Sequence, residues 1–292
     1  MGTRIAAGGR GVLLGVMLCL AGCDLNAWRV VFPSSTHDTT APELPAELAR
    51  PSVLVFTKTN GFRHDEAIRA GLALFEEIAR RRGWSLYATE NGAVHDAARL
   101  ARFDAVVWHQ VSGDVLDDAQ RAALRAYLEA GGGFVGIHGT GGDRSYAWSW
   151  QPETLVGAQF IGHPMGPQFQ EATIRVEDRG HPATRHLGET WVRSDEWYSF
   201  AESPRKQGVH VLATLDESSY RPIFELLWLK TDLRMGPDHP IVWTQCIGRG
   251  RSFYSALGHP AEAYAEPAHA KLLEEAIAWA MFSKECSAGD PP

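Results

Sequence analysis

Four histidines in this chain follow predicted strands or short apolar segments. They are His64, His138, His163 and His259. Neutral imidazole is the commonest protein ligand of zinc and related ions, and it also exchanges protons near neutral pH. These residues therefore predict acid–base chemistry or a metal site. Structural alternatives remain open, because His64 could cap a helix and His163 could shape a turn before Pro164.

The spacing of these histidines does not match a dense metal-binding motif such as HxH or HExxH. A metal site would have to be assembled from distant segments. We take His64, His138 and His259 as candidate ligands of a zinc-like divalent ion, and the same three as candidate catalytic residues. The sequence requires no particular cofactor. Four further histidines are expected in loops or at the surface: His181, His186, His210 and His269.

Asp195 and Glu196 are adjacent carboxylates flanked by aromatic residues. In an extended segment their side chains point to opposite faces. They therefore cannot form a glycosidase pair, which needs two carboxyl groups flanking one bond. Both are candidate catalytic residues. One of them could act as a general acid or base or support a ligand, while the other forms a structural ion pair.

Candidate substrate-binding residues lie close to these positions. Arg63 could hold a carboxylate or a phosphate, or it could simply pair with Asp65. Trp197 and Tyr198 could stack on sugar rings, although aromatic residues in strands more often lie in the core. His163, which precedes Pro164, is also a candidate substrate-binding residue.

The elements that must position these residues alternate between strands and helices. Continuous apolar runs predict buried parallel strands, and apolar residues at helical spacing predict amphipathic helices. The predicted strands are 52–57, 84–89, 105–108 and 134–138, and the predicted helices are 65–82 and 116–128, with a closing helix around 272–280. This order predicts an α/β fold with an open parallel sheet covered on both faces. Ligands in such sheets bind at the carboxyl ends of the strands.

Several stretches of the chain resemble the ThuA-like family, which is named for trehalose utilisation. They are GFRHDEAI, GGGFVGIHGTGG, FIGHP, DEWYSF and HPIVWTQCIGRGRSFYSALGH, and they span residues 51–282. The family is related to class I glutamine amidotransferases. The resemblance therefore implies a flavodoxin-like three-layer α/β/α domain with a mostly parallel sheet, and a carbohydrate or keto-sugar substrate.

The comparison with amidotransferases also argues against one activity. Those enzymes place a nucleophilic cysteine in a tight turn between a strand and a helix, whereas the corresponding run here carries His138 between Ile137 and Gly139. Imidazole does not replace a thiolate in glutamine hydrolysis. Glutaminase activity is therefore not expected, although the run around His259 resembles the His-Pro element of those enzymes.

The N-terminus has the pattern of a targeting signal. Arg4 and Arg10 precede an apolar run of about ten residues (GVLLGVMLCL), which is too short to span a bilayer. The run ends in LAGC, which resembles the bacterial lipobox and implies lipid on Cys23. We expect a signal peptide (1–22), a lipidated flexible tether (23–50), the main domain (51–282) and a tail (283–292). The protein would then face the periplasm, and Asp24 favours the inner membrane.

The amino-acid composition bears on the partners and the redox compartment of the protein. The 292 residues carry a formal net charge of −7, so nucleic acid is not an expected partner, because no basic excess would neutralise phosphates. Cys246 and Cys286 could pair in an oxidising compartment, although Cys286 lies in the predicted tail. The oligomeric state is left open by the sequence.

Two functions are compatible with these residues and patterns. The first is an envelope enzyme that acts on a carbohydrate or keto-sugar derivative through histidine acid–base chemistry, with or without a metal. The second is a tethered carbohydrate-binding or accessory lipoprotein that keeps the fold without turnover. Fold alone does not separate them. Convergence of the four histidines on one cavity would favour the enzyme.

Overall fold

A computed structural model describes residues 25–144, 146–282 and 286. Its strands are β1 (Ser52–Phe56), β2 (Ser85–Thr89), β3 (Ala105–His109), β4 (Gly133–Ile137), β5 (Phe160–Gly162), β6 (Phe169–Val176), β7 (Thr190–Glu196), β8 (Ser199–Phe200), β9 (His210–Leu215), β10 (Ile223–Leu226), β11 (Leu229–Asp232), β12 (Pro240–Ile247) and β13 (Gly250–Ser255). Its α-helices are α1 (Leu25–Val31), α2 (Asp65–Arg82), α3 (Ala97–Leu100), α4 (Asp118–Glu129) and α5 (Pro267–Phe282).

Nine strands form one sheet in the order β2-β1-β3-β4-β13-β12-β9-β6-β7. The pairs from β2 to β13 are parallel, and the pairs from β13 to β7 are antiparallel. The predicted α/β class is confirmed, with the parallel strands running from β2 to β13. The antiparallel extension was not predicted, and it brings the end of β7 into the region of the site.

Helices cover both faces of the parallel part. Helices α2 and α5 pack on one face, where Phe75, Ile78 and Ile277 belong to the same buried cluster. Helices α3 and α4 pack on the other face through a cluster that includes Leu100 and Leu124. Burial of both faces explains why the parallel strands are continuous apolar runs in the sequence.

Helix α2 has the bounds that its periodicity predicts. Acidic residues in its first turn and three arginines in its last turn match the helix dipole. Gly83 ends it in the left-handed conformation, with φ of 70°. Helix α4 begins two residues later than predicted, because Asp117 caps it through a reciprocal capping box with Gln120.

Part of the predicted tether is packed against the domain. Asp38 accepts a hydrogen bond from Gly92 N and pairs with Lys58, and the Asn60 side chain donates to Thr36 O. Leu44 and other apolar side chains of this segment contact the core. Residues 34–50 therefore do not form the free linker that their Ser/Thr/Pro-rich composition indicates.

The termini carry two further features. Cys246 and Cys286 form a disulfide, with 5.8 Å between their Cα atoms, so this part of the predicted tail is linked to β12. None of the helices in the described residues is long and apolar enough to cross a membrane. Cys23 lies outside the described residues, as do the predicted signal peptide and most of the tail.

Candidate active site

Four side chains from separate segments meet beyond the carboxyl ends of the strands. They are His64 after β1, His138 after β4, Glu196 at the end of β7 and His259 after β13. One ligand atom from each lies within 4.8 Å of the others. His64, His138 and Glu196 are buried, and His259 is partly exposed. This group, the His/Glu cluster below, is at the edge of the sheet where parallel α/β folds bind ligands.

Within the cluster, atoms that accept hydrogen bonds approach one another closely. His138 Nε2 lies 3.1 Å from His259 Nδ1 and 3.3 Å from Glu196 Oε2, and His259 Nδ1 lies 3.0 Å from the same oxygen. Such contacts need a shared proton or a cation between the atoms. Tetrahedral ligands with bonds of about 2.0–2.1 Å to zinc lie about 3.3 Å apart, so the spacing fits a metal ion.

The backbone and a buried glutamine fix the position of His138. This residue occupies the turn between β4 and a short 3₁₀ helix with φ of 43°, a left-handed conformation that is uncommon for a non-glycine residue. Its Nδ1–H donates to Ala256 O (2.7 Å), so Nε2 is the nitrogen that faces the cluster. Gln110 accepts from Gly139 N and donates to Gly258 O, and so joins the turns that carry His138 and His259.

The second carboxylate oxygen of Glu196, Oε1, has partners outside the His/Glu cluster. Glu196 Oε1 accepts a hydrogen bond from Gln168 Nε2 at 2.5 Å and lies 3.2 Å from His163 Nδ1. Since His163 Nδ1 also lies 3.1 Å from Pro164 O, the proton on this ring belongs on Nδ1. His163 Nε2 is then the nitrogen that can accept a proton.

The charge states suit a divalent cation. Burial raises the pKa of the Glu196 carboxyl, but its hydrogen bonds with His138 and His259 outweigh burial and hold the pKa well below its ordinary value. Burial lowers the pKa of His64 well below its ordinary value, and the nearby His138 and His259 lower it further. An ionised carboxylate therefore faces a neutral imidazole, the forms in which both groups bind metal.

His64 supplies a further sign that the donor set is incomplete without a ligand. Its Nδ1 atom is buried and has no hydrogen-bond partner among the described residues. Its ring lies edge-on to the rings of His138 and His259, at 5.1 and 4.6 Å between centroids. Three imidazoles and one carboxylate match the ligand types and number of a zinc site. The cluster can therefore hold a metal ion.

Asp195 lies on the opposite side of β7 from the cluster. Its carboxylate accepts from Gly258 N (2.9 Å) and His259 N (3.1 Å) and pairs with the buried Arg193 at 3.1 Å. The predicted catalytic role of Asp195 is therefore not supported by its surroundings, because backbone groups and a guanidinium occupy its oxygens. It positions the turn that carries His259.

The candidate substrate-binding residues separate into two groups. His163 is partly exposed beside Glu196, at the edge of the cluster. Arg63 is taken up by ion pairs with Asp65 and Glu90. Trp197 and Tyr198 are buried, so neither offers a face for a sugar ring. The Trp197 indole donates to Gln170 O, and Tyr198 packs on the His138 ring at 4.2 Å between centroids.

Two histidines that we expected in loops or at the surface are buried. His269 lies inside α5 and its Nδ1 bonds to Ala263 O, and His181 packs against Trp279. Burial in both cases reflects tertiary packing, which the residues next to each histidine in the sequence do not reveal. His186 is exposed and His210 is partly exposed, as expected.

Sequence reasoning missed two glutamines and one phenylalanine of the site. Gln110 follows β3 and has φ of 59°, and the strand-end rule could have found it. Gln168 and Phe169 lie where a loop meets β6, and no local pattern identifies them. Phe169 is 45% exposed and its ring lies 5.1 Å from that of His259. Together with His163, it borders the exposed side of the cluster.

Comparisons with known proteins agree with this fold and identify the family. The model of the ThuA family, described as trehalose utilisation, matches residues 52–280. A ThuA-like protein from Bacteroides uniformis has 25% sequence identity and a TM-score of 0.68, over 84% of this chain and 97% of that chain. Another from Parabacteroides merdae has 17% identity and a TM-score of 0.59, over 82% and 93%. The search of curated proteins gave no match. The chain belongs to the ThuA family, whose description is trehalose utilisation.

Proposed function

We propose that this protein is a metal-assisted enzyme that acts on a carbohydrate or a keto-sugar derivative. The observation that carries the proposal is the convergence of His64, His138, Glu196 and His259 within 4.8 Å. The family description, trehalose utilisation, supports a sugar as the substrate class. A purely sugar-binding surface would not need three imidazoles around one ionised carboxylate.

The contacts indicate a role for each residue of the site. His64, His138, Glu196 Oε2 and His259 would hold a divalent ion, which when bound polarises a carbonyl or hydroxyl oxygen. His163 is 27% exposed in its side chain and has its Nδ1 proton directed to Glu196 Oε1 and Pro164 O. Its Nε2 can therefore take a proton from a sugar hydroxyl and return it in a later step. Tyr198 and Phe62 pack on the histidine rings and limit the access of water.

The first experiment measures metal and turnover in the same preparations. The untagged full chain is analysed for bound metal and incubated with trehalose and with its keto derivatives, with products followed by chromatography. We expect about one divalent ion per chain, and loss of both the ion and turnover in His138→Ala and His259→Ala. His186→Ala is the matched control, because His186 is exposed and bonds only to Ala268 O in its described contacts.

The results separate the two functions. Absence of metal, even after titration with zinc, together with unchanged turnover in both variants, contradicts the proposal. Sugar binding without turnover by the metal-loaded protein would instead support a carbohydrate-binding lipoprotein. Retention of metal in His138→Ala would place the ion elsewhere and contradict the assignment of the cluster.

We also propose that Cys23 carries lipid and anchors the protein in the cell envelope, facing the periplasm. The support is the apolar run before Cys23 and its LAGC context. The Cys246–Cys286 disulfide fits an oxidising compartment. Metabolic labelling with a fatty-acid analogue tests the anchor: we expect label on the wild type and none on Cys23→Ala. An unlabelled wild type contradicts it.

A further inference from the structure

The N-terminal helix presents apolar side chains to solvent. Trp28, Val30 and Phe32 are 57%, 53% and 47% exposed. The rings of Trp28 and Phe32 lie 4.4 Å apart and form one patch. Neighbouring exposed aromatic and aliphatic groups mark a surface that contacts a partner or a membrane. Trp28 and Phe32 share one side of this short segment and Val30 lies on another side; we call the three exposed residues together the N-terminal patch.

The helix that carries this patch lies on a loop of the candidate active site. Asn26 Oδ1 accepts a hydrogen bond from Arg63 N at 3.3 Å, directly before His64 in the chain. Ser34 N, just after the helix, donates to Asn60 O at 2.8 Å. The N-terminal patch is therefore attached to the loop after β1, at the edge of the sheet that also holds the His/Glu cluster.

The preceding chain determines what can cover the patch. Cys23 is five residues before Trp28, and five extended residues span at most about 18 Å. If Cys23 carries acyl chains, Trp28 must stay within that distance of the membrane. Tryptophan and phenylalanine beside a lipid anchor suit the boundary between headgroups and acyl chains.

We propose that Trp28, Val30 and Phe32 insert into the surface of the bilayer that anchors Cys23, and that they hold the edge of the sheet carrying His64 against the membrane. The inference rests on the proposed lipid anchor. It goes further, because a tether alone would leave the domain free to turn in any direction. One apolar segment thus orients the candidate active site towards the lipid surface.

The test places a fluorescent probe at two exposed positions of the full chain. Val30→Cys lies in the patch. Phe282→Cys is the matched control, because Phe282 is 58% exposed and ends α5 at the opposite edge, where Ala280 packs against Gly133 at the start of β4. Both variants are labelled with a nitrobenzoxadiazole thiol reagent and reconstituted in phosphatidylethanolamine–phosphatidylglycerol vesicles. Wild type labelled in parallel corrects for native cysteines.

We expect nitroxide-labelled lipid to quench the probe at position 30 at least about three times as strongly as the probe at position 282. Iodide in the aqueous phase should give the reverse order. Equal quenching at the two positions in protein that floats with the vesicles contradicts this inference alone. Protein that does not float with the vesicles contradicts both the anchor and the inference.

Discussion

Asp195 and Glu196 are neighbours in the chain, and both are buried at the end of β7, yet they lie in regions with different chemistry. Asp195 faces backbone N–H groups and a permanently charged guanidinium. Glu196 faces three imidazoles and an amide. The partners of Asp195 have fixed charge states, whereas the imidazoles can lose a proton or bind a metal.

This difference shows how one strand separates structural and chemical functions. Alternation directs successive side chains to opposite faces, so a single register places one carboxylate under the turn of His259 and the other inside the His/Glu cluster. The residue types are nearly equivalent. Their partners, and the freedom of those partners to change charge, distinguish the two carboxylates.

The largest expected effect is that of Glu196→Gln on metal binding and turnover. Gln keeps the shape of the side chain but removes the charge that faces the imidazoles. We expect bound metal to fall below a tenth of the wild-type content and turnover to fall more than about 1000-fold, which corresponds to about 4 kcal/mol. Elemental analysis and a turnover assay measure both.

Stability provides the control for this variant. The metal-free variant should still unfold cooperatively, because a hydrogen-bonding side chain of the same size remains, although it loses the stability that the ionised carboxylate contributes near neutral pH. If the Glu196→Gln protein keeps its metal, Glu196 is not a required ligand, and its proposed chemical difference from Asp195 is wrong.

Asp195→Ala should have the largest effect on stability. The change leaves the N–H groups of Gly258 and His259 without their acceptor, and it leaves the buried Arg193 with Glu266, 3.4 Å away, as its remaining carboxylate partner among the described contacts. Breaking a buried ion pair in this way costs about 3–5 kcal/mol. Urea unfolding of the full chain measures the loss, and Asp195→Asn, which keeps one acceptor oxygen, should lose less. An unchanged unfolding midpoint in Asp195→Ala would contradict the structural role.

The contrast between the two carboxylates also shows what the sequence can predict. Alternation alone places Asp195 and Glu196 on opposite faces, but it does not say which one faces the histidines. That choice depends on how β7 pairs with β6, and on the connection that brings this antiparallel part beside the parallel strands. These contacts are distant in sequence, and no local periodicity reports them.

Other parts of the fold can be predicted from the sequence. The bounds of α2 follow from its periodicity, its charged ends and Gly83. The parallel strands were found as apolar runs, and the rule of strand ends selected His64, His138 and His259. The packed segment 34–50 was not recognised, because it is held by individual hydrogen bonds such as Asn60 to Thr36 O, which leave no periodic pattern.

The carboxyl of Asp143, a partly buried residue, gives a third case for the comparison. Asp143 accepts a hydrogen bond from Gly113 N at 2.7 Å, but burial outweighs this bond and raises its pKa from 3.8 to about 6. Because the pKa is higher in the folded state, Asp143 stabilises the fold at low pH. This contribution is lost as the pH rises through about 6. The difference corresponds to at most about 3 kcal/mol.

Asp143→Asn should therefore unfold at higher urea concentration than wild type at pH 8. The advantage should disappear near pH 4, where the wild-type carboxyl is protonated in the folded protein. Asp118→Asn is the matched control, because it removes the same charge from a side chain that is 96% exposed. A difference for Asp143→Asn that is independent of pH would show that burial does not control this carboxyl.

The smallest expected effect concerns Gln168, which tests how firmly Glu196 has to be held. Gln168 Nε2 donates to Glu196 Oε1, while Oε2 faces His138 and His259. Loss of a hydrogen bond that orients a metal ligand typically costs 10–100-fold in metal affinity or activity. Because His163 also lies 3.2 Å from Oε1, we expect Gln168→Ala to be near the lower limit, about 10-fold weaker in metal binding.

Gln168→Glu should bind metal more weakly still, since it places a second carboxylate against Glu196. Competition with a chelator measures both affinities, with Gln170→Ala as the control, because Gln170 bonds outside the cluster. If Gln168→Ala binds metal as tightly as wild type, His163 alone orients the carboxylate, and Glu196 depends on fewer fixed partners than Asp195 does.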